Sequence, residues 1–382
     1  VGILAYLPNG QLGFQYDDEW LQNGFSISPF SLPLKPEPFF AKKNTFSGLF
    51  GVFDDSLPEG WGTLLLVRKL REEGYDYLNL NPLAKLSLVS RSGKGTLTYR
   101  PNYSSEDAAA LTELDALAAE CELLLDGDKI KDFDRLVGLG GSSGGARPKI
   151  HYRDESGEWI IKFSTREDGP LAGKKEYETN ILAKKAAINV NGFHLFPSKK
   201  TPGYFGAKRF DRDDKGNSIY MLSLSGALEV SYQTLILDYI HFLQVIQKVC
   251  KSRADLLEGF RRMVFNVFIE NKDDHGKNFA FLYDEKNRRY CLSPAYDLTS
   301  TPFRYAHEMS VNGKDNPEEK DLLDVARLIN ELSRIITIKA AFNTFVPRPH
   351  SRFERKRFIS AEEYGYKKRI LVENIRYSRF TK

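Results

Sequence analysis

Thiols are scarce in this sequence. Its 382 residues include three cysteines, Cys121, Cys250 and Cys291, spaced too widely for a zinc site or a disulfide framework. So few thiols suit a reducing compartment, and the cytoplasm is the expected location. No run approaches 18 uninterrupted apolar residues, which excludes a membrane-spanning helix. No signal peptide is visible, and the opening on Val1, already strand-like, leaves room for a missing N-terminal piece. Internal repeats and long low-complexity tracts are absent too, so a solenoid or a disordered array is excluded.

What is present suits a soluble globular chain. Hydrophobic residues make up 41% and charged residues 28%, ordinary proportions that allow two or three domains with a full core. The net charge of +4 is unevenly placed, because residues 335–382 hold 12 Lys/Arg against 4 Asp/Glu and the rest is acidic. Such a basic tail can meet nucleic acid or an acidic partner, although a solvated helix face is the commoner outcome.

The first hundred residues read as β-rich. "VGILAYLPNGQLGFQY" places two apolar runs around a PNG turn, a hairpin signal. "SISPFSLPLKPEPF" is proline-broken and extended. "SLPEGWGTLLLVRKLREEG" turns helical, with Gly74 as its stop, and "KGTLTYRP" reads as a short strand ended by Pro101. A helix in "SSEDAAALTELDALAAECELLLDG" is expected to be capped by Ser104 or Ser105 and stopped at Gly127. Beyond a glycine-rich stretch, "PKIHYRDESGEWIIKF" predicts a second hairpin, "GKKEYETNILAKKAAI" an amphipathic helix and "GYFGAKRFDRD" a strand. Residues 231–270 carry helical spacing, and "ENKDDHGKNFAFLYDEKNRRYCLSPAYDLTS" reads as a polar loop, two strands around DEKN, and an aspartate.

The stretch "GGSSGGARPK" puts four glycines, two serines and two cations into ten residues. A linker explains the small residues; a loop whose amides approach an anion explains the cations as well. Parts of a phosphoryl-transfer site follow in the order a protein kinase needs them. The glycine loop is 138–145, the strand lysine is Lys162, and the helix glutamate is Glu176 or Glu178. Asp273 and Asn278 stand five apart in "KDDHGKN", the spacing of a catalytic base and a Mg²⁺-binding amide. Asp297 follows the next hairpin as a second metal ligand. Taken singly, a strand lysine is usually exposed and an Asp/Asn-rich loop is often only a turn; the order and the local context carry the reading.

Other readings of these residues fit less well. The glycine loop lacks the Lys-Ser/Thr of a P-loop, and Ser143 stands where a dinucleotide fingerprint needs its third glycine. "DRDDKG" from Asp211 starts like a calcium loop but has Lys215 and Leu222 at ligand positions, so a hydrated turn is expected. Asp273, Asp274 and His275 as a metal cluster would suit Mg²⁺ or Mn²⁺ better than Zn²⁺.

On "SLPEGWG", "GGSSGGARPK", "WIIKF", "AKRFDRD", "NKDDHGKNFAFL" and "LSPAYDL", the chain resembles the HipA family, the kinase toxins of bacterial toxin–antitoxin pairs. "MLSLSGALEV" is similar to one branch of it, and the last fifty-odd residues match poorly. The resemblance implies an α+β, two-lobed protein-kinase-like fold with an added β-rich N-terminal domain and an α-helical C-terminal lobe. The expected limits are 1–100, then an N-lobe-like region 101–210 with the glycine/serine loop, then a mainly helical region 211–382 with the catalytic loop. It implies ATP and Mg²⁺ as cofactors, Asp273 as catalytic base, and Asn278 and Asp297 as metal ligands, with His275 and Lys277 supporting them in the loop. Lys162 and the loop glycines Gly144 and Gly145 would hold the ATP phosphates. Residues 208–210, with Lys208 and Phe210 at their ends, would be the adenine hinge. Asp211 would stand near the sugar and Tyr296 beside the nucleotide.

In that family the loop serine is autophosphorylated and the loop then leaves the ATP site. Counting back from Lys149 gives Ser142, with Ser143 as the other choice, and Arg147 and Lys149 are cations that could pair with the phosphoserine. Two departures stand out. Lys208 replaces a glutamate found in some members, and Asp274 adds a carboxylate beside Asp273, which either raises its pKa or points to solvent.

The leading expectation is an ATP- and Mg²⁺-dependent protein serine/threonine kinase acting on an unidentified protein substrate. A helix-turn-helix antitoxin of HipB type is the expected partner, DNA is contacted only through it, and no membrane is involved. The alternative is a catalytically silent protein that binds ATP and an antitoxin and acts as co-repressor.

Overall fold

The computed structural model describes residues 1–90, 92–104, 113–141 and 143–328. Ser105, Ser142 and the basic segment 335–382 therefore lie outside the described residues. Helices and sheets are mixed, and the described chain divides into two compact units. The first holds residues 1–174, 192–233 and 280–288; the second holds 175–191, 234–279 and the rest from 289.

In the first unit, β1 (Gly2–Tyr6) and β2 (Leu12–Tyr16) form the hairpin expected around PNG, and β3 (Phe39–Phe40) extends it. Gly10, at φ +76, supplies the left-handed turn residue. The helix expected in "SLPEGWG…" is α1 (Gly60–Glu72), and two later helices are α2 (Leu114–Leu125) and α3 (Phe133–Gly140). A four-stranded antiparallel sheet follows in the order β4 (Lys149–Asp154), β5 (Gly157–Lys162), β7 (Tyr204–Lys208), β6 (Phe193–Phe196). β8 (Met221–Ser223) pairs antiparallel with β9 (Ala280–Asp284).

The β4–β5 hairpin turns tightly because Asp154 accepts from the Ser156 amide at 2.8 Å and Gly157 sits at φ +133. Its alternation buries Trp159, Ile161 and Phe163 on one face. Those side chains join Trp61, Leu65 and Leu136, so α1, from the first hundred residues, shares one core with α3 and this sheet. Period-two geometry then turns Lys162 to the opposite face.

The second unit contains α4 (Ala172–Lys185, from Lys175 onward), α5 (Tyr239–Val245), a π-helical turn Ile246–Cys250, α6 (Arg253–Phe268) and α7 (Glu319–Leu328), and β10 (Arg289–Leu292) is a short strand. Ala183, Ile188, Phe265, Ile269, Ala295 and Leu298 form one core cluster. Arg262, itself buried, holds Glu258 at 3.0 Å and the Ser293 carbonyl at 2.6 Å, fixing the entry to the segment that carries Tyr296 and Asp297.

Three expectations need correction. Gly138 and Gly140 are not loop residues but the last turn of α3, whose Asp132 cap accepts from the Arg135 amide. A Cβ on Gly140 would meet the Lys149 carbonyl and the Trp61 indole nitrogen, both at 2.9 Å, so close packing explains this glycine. The loop proper starts at Gly141. "KGTLTYRP" is not a strand, because the carbonyls of Ser92, Gly93 and Gly95 are taken by the Arg209 and Arg212 guanidiniums rather than by a ladder. The helical stretch starts at Tyr239, not near 231, because Asp238 is the cap: it accepts from the Ile240 amide and is itself pinned by Ser310. Beyond these, α3, β6 and β8 have no counterpart in the expected elements.

Candidate active site

The glycine loop leaves α3 through Gly141 and is fixed at both of its described ends. Ser143 is 2% exposed, and its hydroxyl donates to the Gly140 carbonyl at 2.6 Å. Gly145, at φ +77, donates its amide to Glu59 Oε2 at 2.9 Å and accepts from the Trp61 amide at 3.0 Å. Arg147 pairs with Asp168 at 2.9 Å. Lys149 is buried, and its ammonium lies close against Gly145.

The strand register places Lys149 directly opposite Lys162. Two like charges facing each other across a ladder repel unless counter-charge lies between them. At the end of a glycine loop this pair is therefore suited to an anion. The Lys162 ammonium also stands 5.7 Å from the centre of the Phe205 ring, within cation–π reach. Sequence reasoning gave Lys149 only to a phosphoserine; the signal that could have found this pairing was the hairpin register counted outward from DESG.

At the end of β7, Lys208 donates its amide to the Gly192 carbonyl at 2.7 Å, and its ammonium lies 3.8 Å from the exposed Asp214. Phe210 is half-buried. Asp211 is buried and accepts from Arg209 at 2.7 and 2.9 Å, from Arg212 at 3.0 Å and from the Gly95 amide at 2.8 Å. Burial alone would raise its pKa, but the Arg209 contact and the two guanidinium charges outweigh that and hold it at about 2. Asp213 caps its own turn by accepting from the Lys215 and Asn217 amides, which is the hydrated turn expected there.

In the second unit the loop after α6 is built on buried amides. Asn266 donates to the Tyr239 hydroxyl at 2.9 Å and accepts from Asn271 at 3.1 Å. Asn271 also reaches the Asp297 carbonyl at 3.4 Å, which ties the two acidic segments together. Asp297 sits at φ +52, a left-handed conformation that aspartate tolerates better than most residues.

Asp273 is partly exposed and its carboxylate meets Arg304 at 2.7 Å. Five residues on, the Asn278 amide nitrogen donates to the Asp273 carbonyl at 2.7 Å, leaving the Asn278 side-chain oxygen as the atom of a metal-ligand type. Lys277 is buried, and its carbonyl accepts from the Tyr296 hydroxyl at 2.6 Å. His275 caps the short 3₁₀ turn Gly276–Asn278. On α4, Glu176 is buried and Glu178 half-buried; burial singles out Glu176, because a buried carboxylate requires a partner.

Asp274 departs from the solvent-facing alternative offered for it. Far from pointing to solvent, it is buried and accepts from Tyr239 at 2.8 Å, from His307 Nδ1 at 2.8 Å and from the Glu308 amide at 2.9 Å. Burial, and then the Asp274 charge, push the Tyr239 phenol well above its ordinary pKa, so it remains a donor. Asp274 is an anchor for the segment that also carries Arg304. The sequence gave no sign of Arg304, which lies 31 positions from its carboxylate partner.

Among the described residues no cluster of three His, Cys, Asp or Glu side chains forms a metal cage, and no helix is long and apolar enough to cross a membrane.

Comparison with known proteins gives the family. Residues 1–100 match the HipA N-terminal domain, and residues 141–349 match the HipA-like C-terminal domain. A Sinorhizobium fredii protein named "Putative kinase Y4mE" is 26% identical over 342 residues, covering 79% of this chain and 75% of its own. A Haemophilus influenzae protein named "Putative kinase" is 28% identical over 183 residues, 42% of this chain and 53% of that one. Among solved structures, a chain of the Shewanella oneidensis complex of HipA, HipB and operator DNA superposes with a TM-score of 0.62 at 16% identity, over 93% of this chain and 91% of that one. At that identity the likeness is one of fold, and it bears out the α+β, kinase-like fold expected from the sequence.

Proposed function

Since this chain belongs to the HipA family, we propose that it is an ATP- and Mg²⁺-dependent protein serine/threonine kinase that limits itself by phosphorylating its glycine loop. The observation that carries the proposal is the Asp273–Asn278 loop. The five-residue spacing is closed by a 2.7 Å bond from the Asn278 amide to the Asp273 carbonyl, while the Asp273 carboxylate stays at the surface. A general base must reach a substrate hydroxyl, and a carboxylate held by its own backbone but open to solvent meets that need.

ATP, when bound, supplies the transferred phosphoryl group, and Mg²⁺ neutralises its charge. Asn278 and Asp297 would hold the metal: both offer oxygen donors, the chemistry a hard cation prefers, and Asn271 draws the Asp297 backbone toward the α6 end of the loop. In the first unit, Lys162 and Lys149 would meet phosphate oxygens, with the amides of Gly144 and Gly145 in support. Residues 208–210 would lie against adenine. Asp211 would act on the sugar edge through the position it fixes for Arg212, since its own carboxylate already accepts four hydrogen bonds. Glu176, buried on α4, would serve as the helix glutamate.

A protein substrate and an antitoxin of HipB type are the proposed partners, with DNA contact only through the antitoxin. The Shewanella neighbour was solved with HipB and operator DNA, which supports that context. One observation favours the silent alternative: Arg304 already occupies the carboxylate of Asp273. Mass spectrometry after incubation with Mg²⁺-ATP separates the two readings. Phosphate on the loop, absent in Asp273→Asn, is the expected result; ATP binding without any phosphate gain would favour the silent protein.

A further inference from the structure

The Glu59 side chain does not do what its position suggests. Glu59 is the N-cap of α1, where a polar side chain ordinarily accepts from an amide in the helix's own first turn. Glu59 makes no such bond. Its carboxylate is turned outward instead, with Oε2 taking the Gly145 amide at 2.9 Å and Oε1 taking the Lys94 ammonium at 3.1 Å. The loop returns the favour, because the Gly145 carbonyl accepts the Trp61 amide at 3.0 Å, one of the donors that the start of a helix leaves unpaired. The Glu59 amide reaches the Ser143 carbonyl at 3.3 Å, and the Trp61 indole reaches the Lys149 carbonyl at 3.1 Å. Helix start and glycine loop therefore cap each other.

The glycines of "PEGWG" are explained by the same contact. A Cβ on Gly60 would stand 2.6 Å from the Ala146 Cα, and one on Gly62 would stand 2.8 Å from the Ser143 carbonyl oxygen. Backbone cannot move aside as a flexible side chain can, so the approach requires glycine at both positions. Lys94 completes the arrangement by lying across Gly144, where a side chain would collide with its ammonium.

We propose that Glu59 is a positioning residue for the glycine loop: clamped by Lys94, its carboxylate latches residues 143–145 onto the first turn of α1 and sets how firmly the loop can hold an anionic ligand. The latch follows from the contacts themselves. Its effect on ligand affinity rests on the nucleotide reading of the loop given above.

Hydrogen exchange of the full chain tests the latch without ATP. In Glu59→Ala, the peptide covering residues 141–149 exchanges about tenfold faster, as losing a charge-assisted bond to an amide implies. Glu59→Gln, which keeps an acceptor but loses the attraction to Lys94, falls between. Exchange in the later turns of α1 and in β4 and β5 stays at the wild-type rate, and affinity for Mg²⁺-ATP falls several-fold in the same order. An unchanged loop, or faster exchange spread evenly over the unit, would overturn the latch. Local release of the loop in a protein whose wild type does not bind ATP would uphold the latch and remove the nucleotide reading. Should Glu59→Ala fail to fold, Lys94→Met touches only the outer oxygen; a smaller acceleration confined to the same peptide upholds the proposal, and none overturns it.

Discussion

Asp273 and Asp274 are neighbours in the chain and opposites in environment. The carboxylate of Asp273 is partly open to solvent and meets one guanidinium, Arg304, at 2.7 Å. That of Asp274 is fully enclosed and takes bonds from a phenol, an imidazole and two backbone amides. An exposed carboxylate can exchange its partner for a substrate, whereas an enclosed one with four donors cannot do so without unfolding its surroundings. The proposed chemistry falls to the first, and the second is architecture.

The Asp273→Asn variant is expected to abolish phosphoryl transfer while leaving ATP affinity within a few-fold of wild type. Titration calorimetry beside a transfer assay checks both halves. Retained transfer would mean that the base lies elsewhere.

For Asp274→Ala the expected loss is in stability. Removing one partner of a buried, hydrogen-bonded network costs roughly 3–5 kcal/mol, here because Tyr239, His307 and the Glu308 amide would be left without their acceptor. A urea midpoint close to wild type would refute this. Asp274→Asn keeps one acceptor oxygen and is expected to lose less.

Phosphopeptide mapping after incubation with Mg²⁺-ATP is expected to place the phosphate on Ser142, not Ser143. The Ser143 hydroxyl is 2% exposed and committed to the Gly140 carbonyl. Ser143→Ala should therefore retain the modification and Ser142→Ala should lose it; the reverse pattern would reassign the site.

Acid should weaken the first unit through Asp211. Its folded pKa of about 2 lies below the ordinary aspartate value of 3.8, so the stability it contributes is fully present above the unfolded value and is lost as pH falls from about 4 toward 2. A shift of this size corresponds to roughly 2 kcal/mol. In Asp211→Asn the acid limb of the unfolding curve should flatten over that window. An unaltered limb would show that the Arg209 and Arg212 contacts contribute little.

Much of this was legible in the residues. The turns at PNG and DESG and the helix in "GWGTLLLVRKL" announce themselves by local chemistry, and the Asp273–Asn278 spacing is a local constraint too. What escaped is non-local. "KGTLTYRP" has strand composition, but the Arg209 and Arg212 side chains, more than a hundred residues away, claim the carbonyls just ahead of it and within it. Gly138 and Gly140 looked like loop because glycine usually marks one; here both belong to α3, and Gly140 lets it pack closely. Arg304 carries no motif, and the partner of Glu59 lies 86 residues away. Spacing reveals what a residue does to its neighbours, and only the fold reveals what it does at a distance.

The bond from Gly145 to Glu59 spans 86 residues, and that separation has a consequence for how the protein is made. Contacts so far apart close a long stretch of chain and are paid for late in folding. On the ribosome, however, α1 emerges well before the glycine loop, since synthesis runs from the N-terminus and segments fold as they appear. The loop is thus expected to be born onto a surface already waiting for it. A chain begun after residue 100 would offer the same glycines with nothing to receive the Gly145 amide.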